Sequence, residues 1–287
     1  MSTPRVVPGL WSLHRRAYRA WLRGEAGRPG VVVDAAEEPP HGTLLWIHGG
    51  RGAPAQFARL VAALQHRLHV AAFVYDDHGR LPPAAAALGV ALRVLPRPVV
   101  LVAHSLGTLL PGWVGARDRA GQLRGVGAVY LNPLVGGSRH ADADPVLAVL
   151  GSIRGLRWLH AVKHGLQSAL FPSVVQDLTP ESAFQQTIFG RDSAASSFAP
   201  QTCVLVTDRP WDVRNVRPER AVHFFGRTRA ALLERMGRRV ALPPGYPAGH
   251  DMPLVQPAPT LAVIEEVLES VARDAPVRTS ARGVAAL

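Results

Sequence analysis

Short apolar runs alternate along the chain with longer segments whose apolar residues recur at helical spacing. Runs that are rich in β-branched residues and end in polar or glycine-containing turns are typical of buried strands. On this basis we predict seven strands, at residues 31–33, 43–47, 70–75, 99–104, 126–131, 203–207 and 240–242. Because helical segments separate most of these runs, the pattern predicts an α/β fold with a mostly parallel central sheet flanked by helices.

The alternation stops between residues 139 and 199, where apolar residues recur at helical spacing with no clear strand between them. We interpret this stretch as a helical cap inserted into a core formed by residues 31–138 and 200–273. Residues 1–30 are expected to form an N-terminal extension with an amphipathic helix, and residues 274–287 a flexible tail.

The same periodicity predicts helices within the core, including residues 83–94, 219–236 and 261–271. Another predicted helix follows Ser105, and Pro111 falls inside it. Proline lacks a backbone N–H and crowds the preceding turn of a helix. Pro111 therefore predicts a kink or a lost hydrogen bond, at a cost of up to about 3 kcal/mol.

The composition indicates a globular protein. The chain has 287 residues, of which 47% are hydrophobic and 18% charged, and this is enough to bury one large core. Cys203 is the only cysteine, so no intrachain disulfide can form. Residues 1–27 contain no apolar block as long as a signal peptide requires, and no segment reaches the length of a membrane span. We therefore expect a cytoplasmic protein.

The formal net charge of +11 raises the question of an anionic partner. Almost all of the positive charge is arginine, scattered without a dense basic run, which argues against nucleic-acid binding. Residues 9–23 place arginines opposite an apolar face. Such a helix either packs on the domain or makes a peripheral contact with an anionic membrane. The sequence contains no H-E-x-x-H, H-x-H or C-x-x-C spacing of the kind found at metal sites, and we expect no metal and no other cofactor.

The clearest chemical signal is Ser105, which follows the apolar run 99–104 and precedes a predicted helix. Ala103 and Gly107 lie two residues before and after it. A serine between small residues at a tight strand-to-helix turn is typical of a nucleophile elbow, in which glycine is more usual than Ala103 at the first small position. His104 is expected to point away across the turn and to have a structural role.

A nucleophilic serine needs a base to remove its proton, a group that orients this base and donors that stabilise the oxyanion. His250 lies in a Gly-His loop after the last predicted strand, where it can reach across the carboxyl edge of the sheet. Asp212 lies in the loop after the preceding strand and is the first candidate for the orienting acid. Asp208 is an alternative, and Asp142 and Asp144 remain further ones.

A glycine loop follows the predicted strand 43–47, with the sequence His-Gly-Gly-Arg-Gly at residues 48–52. Its glycines leave backbone N–H groups able to face a ligand oxygen, as an oxyanion hole or a phosphate cradle requires. The loop lacks the glycine patterns of nucleotide-binding proteins, and we therefore exclude nucleotide binding. His48 is expected to stabilise the loop.

The histidine-glycine loop, the elbow, the late acid and the Gly-His loop occur here in the order found in α/β-hydrolases, and the chain resembles that fold family over roughly residues 31–273. The resemblance implies an oxyanion hole formed by the backbone N–H groups of Gly50 and Leu106. It also implies a triad of nucleophile, acid and base, namely Ser105, Asp212 and His250.

Two further segments resemble the esterase and lipase branch of this fold. One is Asn132-Pro133 with the Gly-Gly-Ser turn at residues 136–138, and the other is a D-L-x-P-x-S-x-F pattern that begins at Asp177. The resemblance favours a serine hydrolase of lipid-like or small acyl esters. The same triad is compatible with acyl transfer or thioester hydrolysis. A chain with a misplaced triad would instead be a non-catalytic module that binds lipid or a partner protein.

Overall fold

The computed structural model of the protein describes most of the predicted core. For residues 30–33, only the backbone is described. The described residues are 30–33, 42–50, 57–64, 68–77, 79–138, 174–197, 199–207 and 218–274.

Seven strands form one sheet in the order β1-β3-β2-β4-β5-β6-β7. They are β1 (Gly30–Val33), β2 (Thr43–Ile47), β3 (His69–Val74), β4 (Val99–His104), β5 (Val126–Leu131), β6 (Thr202–Leu205) and β7 (Arg238–Val240). Six strands run parallel, and β1 pairs antiparallel with β3 at one edge. The predicted α/β fold with a mostly parallel sheet is confirmed. All six parallel strands therefore end at the same edge, which we call the carboxyl edge.

Nine α-helices are described, together with two short 3₁₀ helices at Ser105–Thr108 and Ala199–Gln201. The α-helices are α1 (Ala58–Leu64), α2 (Leu81–Val94), α3 (Leu109–Arg117), α4 (Val174–Asp177), α5 (Ala183–Phe189), α6 (Pro218–Phe225), α7 (Arg229–Met236), α8 (Met252–Val255) and α9 (Ala258–Asp274).

Helices cover both faces of the sheet, and β4 shows how. Val99, Leu101 and Ala103 face a core that α2, α3, α5 and α7 complete. Val100 and Val102 face a second core that α1 and α9 complete. Because successive side chains of a strand point to opposite faces, a strand that is covered on both sides is apolar throughout. This burial explains the continuous apolar run that precedes Ser105.

The helix predicted over residues 219–236 is in fact two helices, α6 and α7. The break follows α6 at Gly226, whose φ of 64° lies in the left-handed region that ends helices readily at glycine. The side chain of Thr228 then accepts a hydrogen bond from the backbone N–H of Ala231 and caps the start of α7. A glycine and a capping residue together therefore overrode the apolar periodicity.

Pro111 does not interrupt a helix. The 3₁₀ helix Ser105–Thr108 ends before α3 begins at Leu109, so Pro111 lies in the first turn of α3. Backbone N–H groups in the first turn of a helix have no partner within the helix, and proline loses nothing there. The predicted kink or lost hydrogen bond is therefore not required.

Several predictions concern segments outside the described residues. They include the amphipathic helix at 9–23, most of the cap at 139–173 and the tail from 275. The described end of the predicted cap contains α4 and α5. The division into domains stays a prediction, as do the cytoplasmic location and the membrane contact. No helix of the described part is long and apolar enough to cross a membrane.

Candidate active site

Ser105 follows β4 directly and has an uncommon backbone conformation. Its φ is 51°, a value in the left-handed region that side-chain-bearing residues adopt only where the surrounding structure enforces it. The hydroxyl of Thr108 donates a hydrogen bond of 2.6 Å to the Ser105 carbonyl and so holds the turn. Ser105 is 9% exposed. A strained serine at the carboxyl end of a central strand is the geometry that the sequence predicted.

The small residues around Ser105 are required by close packing. A Cβ atom on Gly107 would collide with the carbonyl oxygens of Ile47 and His48 at the end of β2. Ala103 is fully buried in β4, where it pairs with Ile47 on one side and Tyr130 on the other. The elbow therefore lies directly against the end of β2.

The glycine loop after β2 packs on the same turn. A Cβ atom added to Gly49 would lie 3.0 Å from the Cβ of Ser105, and one added to Gly50 would lie 3.3 Å from Cδ2 of Leu106. The fold thus brings Gly50 and Leu106, the two predicted oxyanion donors, next to each other beside Ser105. Residues 51–56 of the loop lie outside the described residues.

His48 fixes the start of the glycine loop from below. Its ring stacks on Tyr75 with centroids 4.5 Å apart, and the Tyr75 hydroxyl donates 2.8 Å to the His48 carbonyl. The Nδ1 atom of His48 lies 2.9 Å from the Gly49 carbonyl, which can only accept, so Nδ1 is the donor. Burial lowers the pKa of His48, against the opposing effects of the Gly49 carbonyl and the Asp77 charge. The neutral ring therefore packs as a loop-stabilising residue, as expected.

His250 lies in the loop between β7 and α8 and is 8% exposed. Its ring lies 4.5 Å from the ring of His104, the residue immediately before Ser105, at an angle of 51°. Gly249 before it has a φ of 141°. The fold therefore brings the predicted base to the elbow, although 145 residues separate His250 from Ser105 in the chain.

Two buried side chains donate to the backbone carbonyl of His250. The Nδ2 atom of Asn132 lies 2.7 Å from this oxygen, and Nε2 of His104 lies 3.1 Å from it. Asn132 follows β5 directly and has a φ of 44°. His104 is buried beneath the His250 loop, which agrees with the structural role expected for it, but its ring packs against that of His250 and does not point away as expected. Sequence reasoning gave no function to Asn132, although an asparagine directly after a central strand was a usable signal.

The predicted acid lies outside the described residues, as do its alternatives Asp208, Asp142 and Asp144. The chain that leads to Asp212 is described as far as Thr207. The Thr207 hydroxyl donates to the Gly249 carbonyl at 3.0 Å, and the Thr207 N–H donates to Oδ1 of Asn132 at 2.9 Å. The segment that carries Asp208 and Asp212 therefore starts beside the His250 loop.

One group of side chains in the described part could ligate a metal ion. His104, His250 and Asp251 place potential ligand atoms within 4.8 Å of one another, and Oδ1 of Asp251 lies 3.5 Å from Nε2 of His104. The same Nε2 already donates to the His250 carbonyl. That contact leaves Nε2 of His104 without a lone pair for a metal, so only Nδ1 of this ring could be a ligand while the hydrogen bond is kept.

The segment that begins at Asp177 is attached firmly to the carboxyl edge. The buried Asp177 carboxylate accepts from the Arg80 guanidinium at 2.8 Å and from the backbone N–H of Leu81 at 2.8 Å. Ser138 of the Gly-Gly-Ser turn donates through its N–H to the Leu178 carbonyl at 3.0 Å. The hydrogen bond to Asp177 raises the pKa of Arg80. The two segments that resembled esterases therefore contact each other near the site.

Comparison with known proteins agrees with this architecture. The model of the alpha/beta hydrolase family matches residues 44–263. No curated protein matches the chain at a significant level.

Among solved structures, the chain resembles the type II thioesterase BorB from the borrelidin biosynthetic cluster, with 18% identity, a TM-score of 0.50 and coverage of 84% of this chain and 96% of BorB. It also resembles a candidate non-heme bromoperoxidase, BpoC, from Mycobacterium tuberculosis, with 18% identity and a TM-score of 0.51. The match covers 85% of this chain and 96% of BpoC. The lipase BlEst2 of Bacillus licheniformis, in its propeptide form, shares 17% identity at a TM-score of 0.50, with coverage of 92% of this chain and 57% of BlEst2. These structures share the fold. With the family match over most of its length, the chain belongs to the alpha/beta hydrolase family.

Proposed function

We propose that the protein is a serine hydrolase that cleaves carboxylic esters through an acyl-enzyme intermediate. The observation that carries this proposal is the left-handed Ser105 at the end of β4, with the His250 ring packed 4.5 Å from the adjacent His104 ring. In a serine hydrolase, such a turn exposes the hydroxyl at the top of the sheet, where a loop histidine can take up its proton.

In the proposed mechanism, Oγ of Ser105 attacks the ester carbonyl carbon while His250 takes the hydroxyl proton. The backbone N–H groups of Gly50 and Leu106 stabilise the resulting oxyanion. The intermediate collapses, the bond to the alcohol oxygen breaks, and His250 returns the proton to the leaving alcohol. Water, deprotonated by His250, then attacks the acyl-enzyme, and the free acid leaves as Ser105 recovers its proton.

Asp212 is proposed to orient His250 and to stabilise the imidazolium that forms, with Asp208 as the alternative acid. The position of Thr207 supports this assignment. Its hydrogen bonds to Gly249 and Asn132 hold Thr207 beside the base loop, and the segment that carries both aspartates begins directly after it.

The class of substrate rests on the fold and on the two segments near the site. The chain belongs to the alpha/beta hydrolase family, and its fold is also the fold of BorB, a thioesterase, and of BlEst2, a lipase. Both names describe proteins that act on acyl groups, which supports an acyl substrate for this chain. We infer an oxygen ester because the Asn132-Pro133 and Asp177 segments resemble those of esterases and lipases.

Turnover of p-nitrophenyl esters from acetate to decanoate tests the proposal. We expect the wild type to release p-nitrophenol and free acid, with a preference for one range of chain lengths, and Ser105→Ala to lose at least about 10³-fold in kcat/KM. Addition of an alcohol acceptor separates hydrolysis from acyl transfer, because transfer would yield a new ester as the main product. Equal turnover by folded Ser105→Ala would overturn the proposal.

A further inference from the structure

We propose that Asn132 and His104 are positioning residues that hold the base loop of the site by its backbone. Both donate to one atom, the carbonyl oxygen of His250. This inference rests on the proposed function of His250 as the general base.

The two donors reach the carbonyl from neighbouring strand ends. His104 ends β4 and Asn132 follows β5, and the two side chains lie 3.1 Å and 2.7 Å from the oxygen. His104 is 2% exposed and Asn132 4% exposed. A carbonyl oxygen has two lone pairs, so two donors from different directions fix its position more tightly than one. The loop that carries the imidazole is thus tied to the two central strands of the sheet.

The contact also fixes the tautomer of His104. Because the carbonyl of His250 can only accept, Nε2 of His104 must carry a hydrogen. The Asp251 carboxylate, with Oδ1 3.5 Å from the same nitrogen, favours that state. A side chain at position 104 therefore has to supply a donor at the place of Nε2, as well as fill the space beneath the His250 ring.

Few residue types can adopt the backbone conformation of Asn132 and also make its hydrogen bonds. Its φ of 44° lies in the left-handed region, which asparagine tolerates better than most side chains. Its Nδ2 atom donates to His250, while its Oδ1 atom accepts from the N–H of Thr207 at 2.9 Å. The Thr207 hydroxyl, which has one hydrogen to donate, lies 3.2 Å from the same Oδ1 atom. The Thr207 hydroxyl donates to the Gly249 carbonyl at 3.0 Å.

These contacts form a closed set that joins three parts of the site. Asn132 connects the end of β5, the chain that leaves β6 at Thr207 and the loop of Gly249 and His250. The residues after Thr207 carry the proposed acid. A single amide therefore sets the spacing between the loop of the base and the start of the acid segment. Because a shift of about 1 Å in a reacting group costs up to about 10²-fold in rate, such spacing matters for catalysis.

The first test replaces the donor of Asn132 by a carboxylate oxygen of the same shape. Asn132→Asp keeps the shape, the tolerated backbone and an acceptor for Thr207, but it turns the donor to His250 into a repelling oxygen. On p-nitrophenyl butyrate we expect kcat to fall about 10- to 100-fold while KM stays within twofold. Gln201→Glu is the matched control, since it makes the same amide-to-carboxylate change at the exposed contact of Gln201 with Asp274. Its kcat should stay within twofold of the wild type.

The second test uses His104 and does not depend on the folding of the Asn132 variant. His104→Phe keeps a ring beneath His250 and removes the donor, and His104→Gln restores a donor near the place of Nε2. We expect His104→Phe to lose about tenfold or more in kcat with KM within twofold, and His104→Gln to recover most of this loss. Circular dichroism and thermal unfolding confirm that the compared variants are folded at the assay temperature.

Measurement of Ser105→Ala in parallel separates the two proposals. If Ser105→Ala keeps its activity, the proposed function fails, and the positioning role fails with it. If Ser105→Ala is inactive while Asn132→Asp and His104→Phe keep kcat within twofold, the positioning role alone is overturned. Equal losses in His104→Phe and His104→Gln would also overturn it, because a restored donor would then not restore kcat.

Discussion

The two edges of the sheet differ in which residues adopt unusual backbone. Both edges have glycines with positive φ, but in the described part only the carboxyl edge also has residues with side chains at such angles. At the carboxyl edge, the two described residues other than glycine with positive φ, Ser105 and Asn132, each follow a central strand directly. At the amino edge, where the strands begin, positive φ occurs at Gly42, Gly121 and Gly125. Glycine adopts such angles at little cost, whereas a side-chain-bearing residue does so at about 1–3 kcal/mol. The carboxyl edge therefore accepts strain in order to place side chains.

The polar contacts of the two edges differ in the same sense. At the carboxyl edge, the polar side chains that contact the backbone of Gly249 and His250 are buried, namely those of His104, Asn132 and Thr207. At the amino edge, a cleft of about 300 Å³ is lined by Asp118, Gly121, Leu123, Arg124, Gly125, Ser197, Gln201 and Asp274. Its contacts are exposed, such as Ser197 to Asp118 and Gln201 to Asp274. Buried contacts resist hydration and hold geometry, so substitutions should affect activity at one edge and hardly at the other.

The largest expected difference between the edges comes from His250. His250→Gln removes the proposed base and should lower kcat/KM for a p-nitrophenyl ester by about 10³-fold or more. Gln201→Ala, which opens a polar contact of the amino-edge cleft, should leave kcat/KM within twofold. A loss in kcat/KM below tenfold in His250→Gln would contradict the role of His250 as the base. A loss in Gln201→Ala as large as the loss in His250→Gln would contradict the difference between the two edges.

The next largest difference is expected between Gly107→Ala at the carboxyl edge and Gly121→Ala at the amino edge. Gly107→Ala would push its methyl group into the carbonyls of Ile47 and His48, displacing the oxyanion loop. We expect a loss of about 1–3 kcal/mol in the free energy of unfolding and about 10- to 100-fold in kcat/KM.

Gly121→Ala is the matched control, since its Cβ meets open space but its φ is 62°. Its free energy of unfolding should fall by about 1 kcal/mol through backbone strain, and its kcat/KM should stay within twofold of the wild type. Urea unfolding and ester turnover measure both variants. If Gly121→Ala reduced activity as much as Gly107→Ala, the effect would come from stability and not from the position of the loop.

The ion pair of Arg80 and Asp177 should affect stability rather than chemistry. The Asp177 side chain is 2% exposed and that of Arg80 is 51% exposed. Arg80→Ala leaves the buried Asp177 carboxylate with the Leu81 N–H but without its arginine, and should cost about 3 kcal/mol of unfolding free energy. Asp177→Asn leaves an arginine that water can solvate and should cost about 1–2 kcal/mol. Equal costs measured by urea unfolding would contradict the buried character of this contact.

The smallest effect is a pH dependence from His48. Burial lowers its pKa in the folded protein, so the unfolded chain binds the proton more readily. The stability that neutral His48 contributes is complete above its ordinary pKa of about 6.5 and is lost as the pH falls through the lower folded value. His48→Asn keeps a donor for the Gly49 carbonyl but does not titrate. Between pH 7.5 and pH 5, the wild type should therefore lose more unfolding free energy than His48→Asn, and an equal loss would exclude this role.

The features that the sequence predicted correctly are those with local causes. Strands β2 and β5 have the predicted bounds because a buried strand must be apolar on both faces. The elbow at Ser105 was visible because its strand, its small neighbours and its helix are consecutive in the chain. One wrong prediction also had a local cause: Gly226 and Thr228 divide the helix that was predicted over residues 219–236, because a local stop and a new cap override apolar periodicity.

The features that the sequence did not predict depend on distant partners. The contact of Asn132 with the His250 carbonyl spans 118 residues, and its contact with Thr207 spans 75. Nothing in the neighbours of Asn132 along the chain indicates these partners. Asp212 stays a prediction as the triad acid, since its assignment depends on how its loop returns to His250.

The most direct test of the account is the site of covalent labelling by a fluorophosphonate. We expect one adduct per native wild-type molecule, mapped by peptide mass spectrometry to Ser105. A folded Ser105→Ala variant with the same unfolding temperature as the wild type should give no adduct. Heat-denatured wild type should not react, because the hydroxyl is activated only by the folded site. An absence of labelling in the native wild type, or equal labelling of Ser105→Ala, would contradict the central claim that Ser105 is the nucleophile.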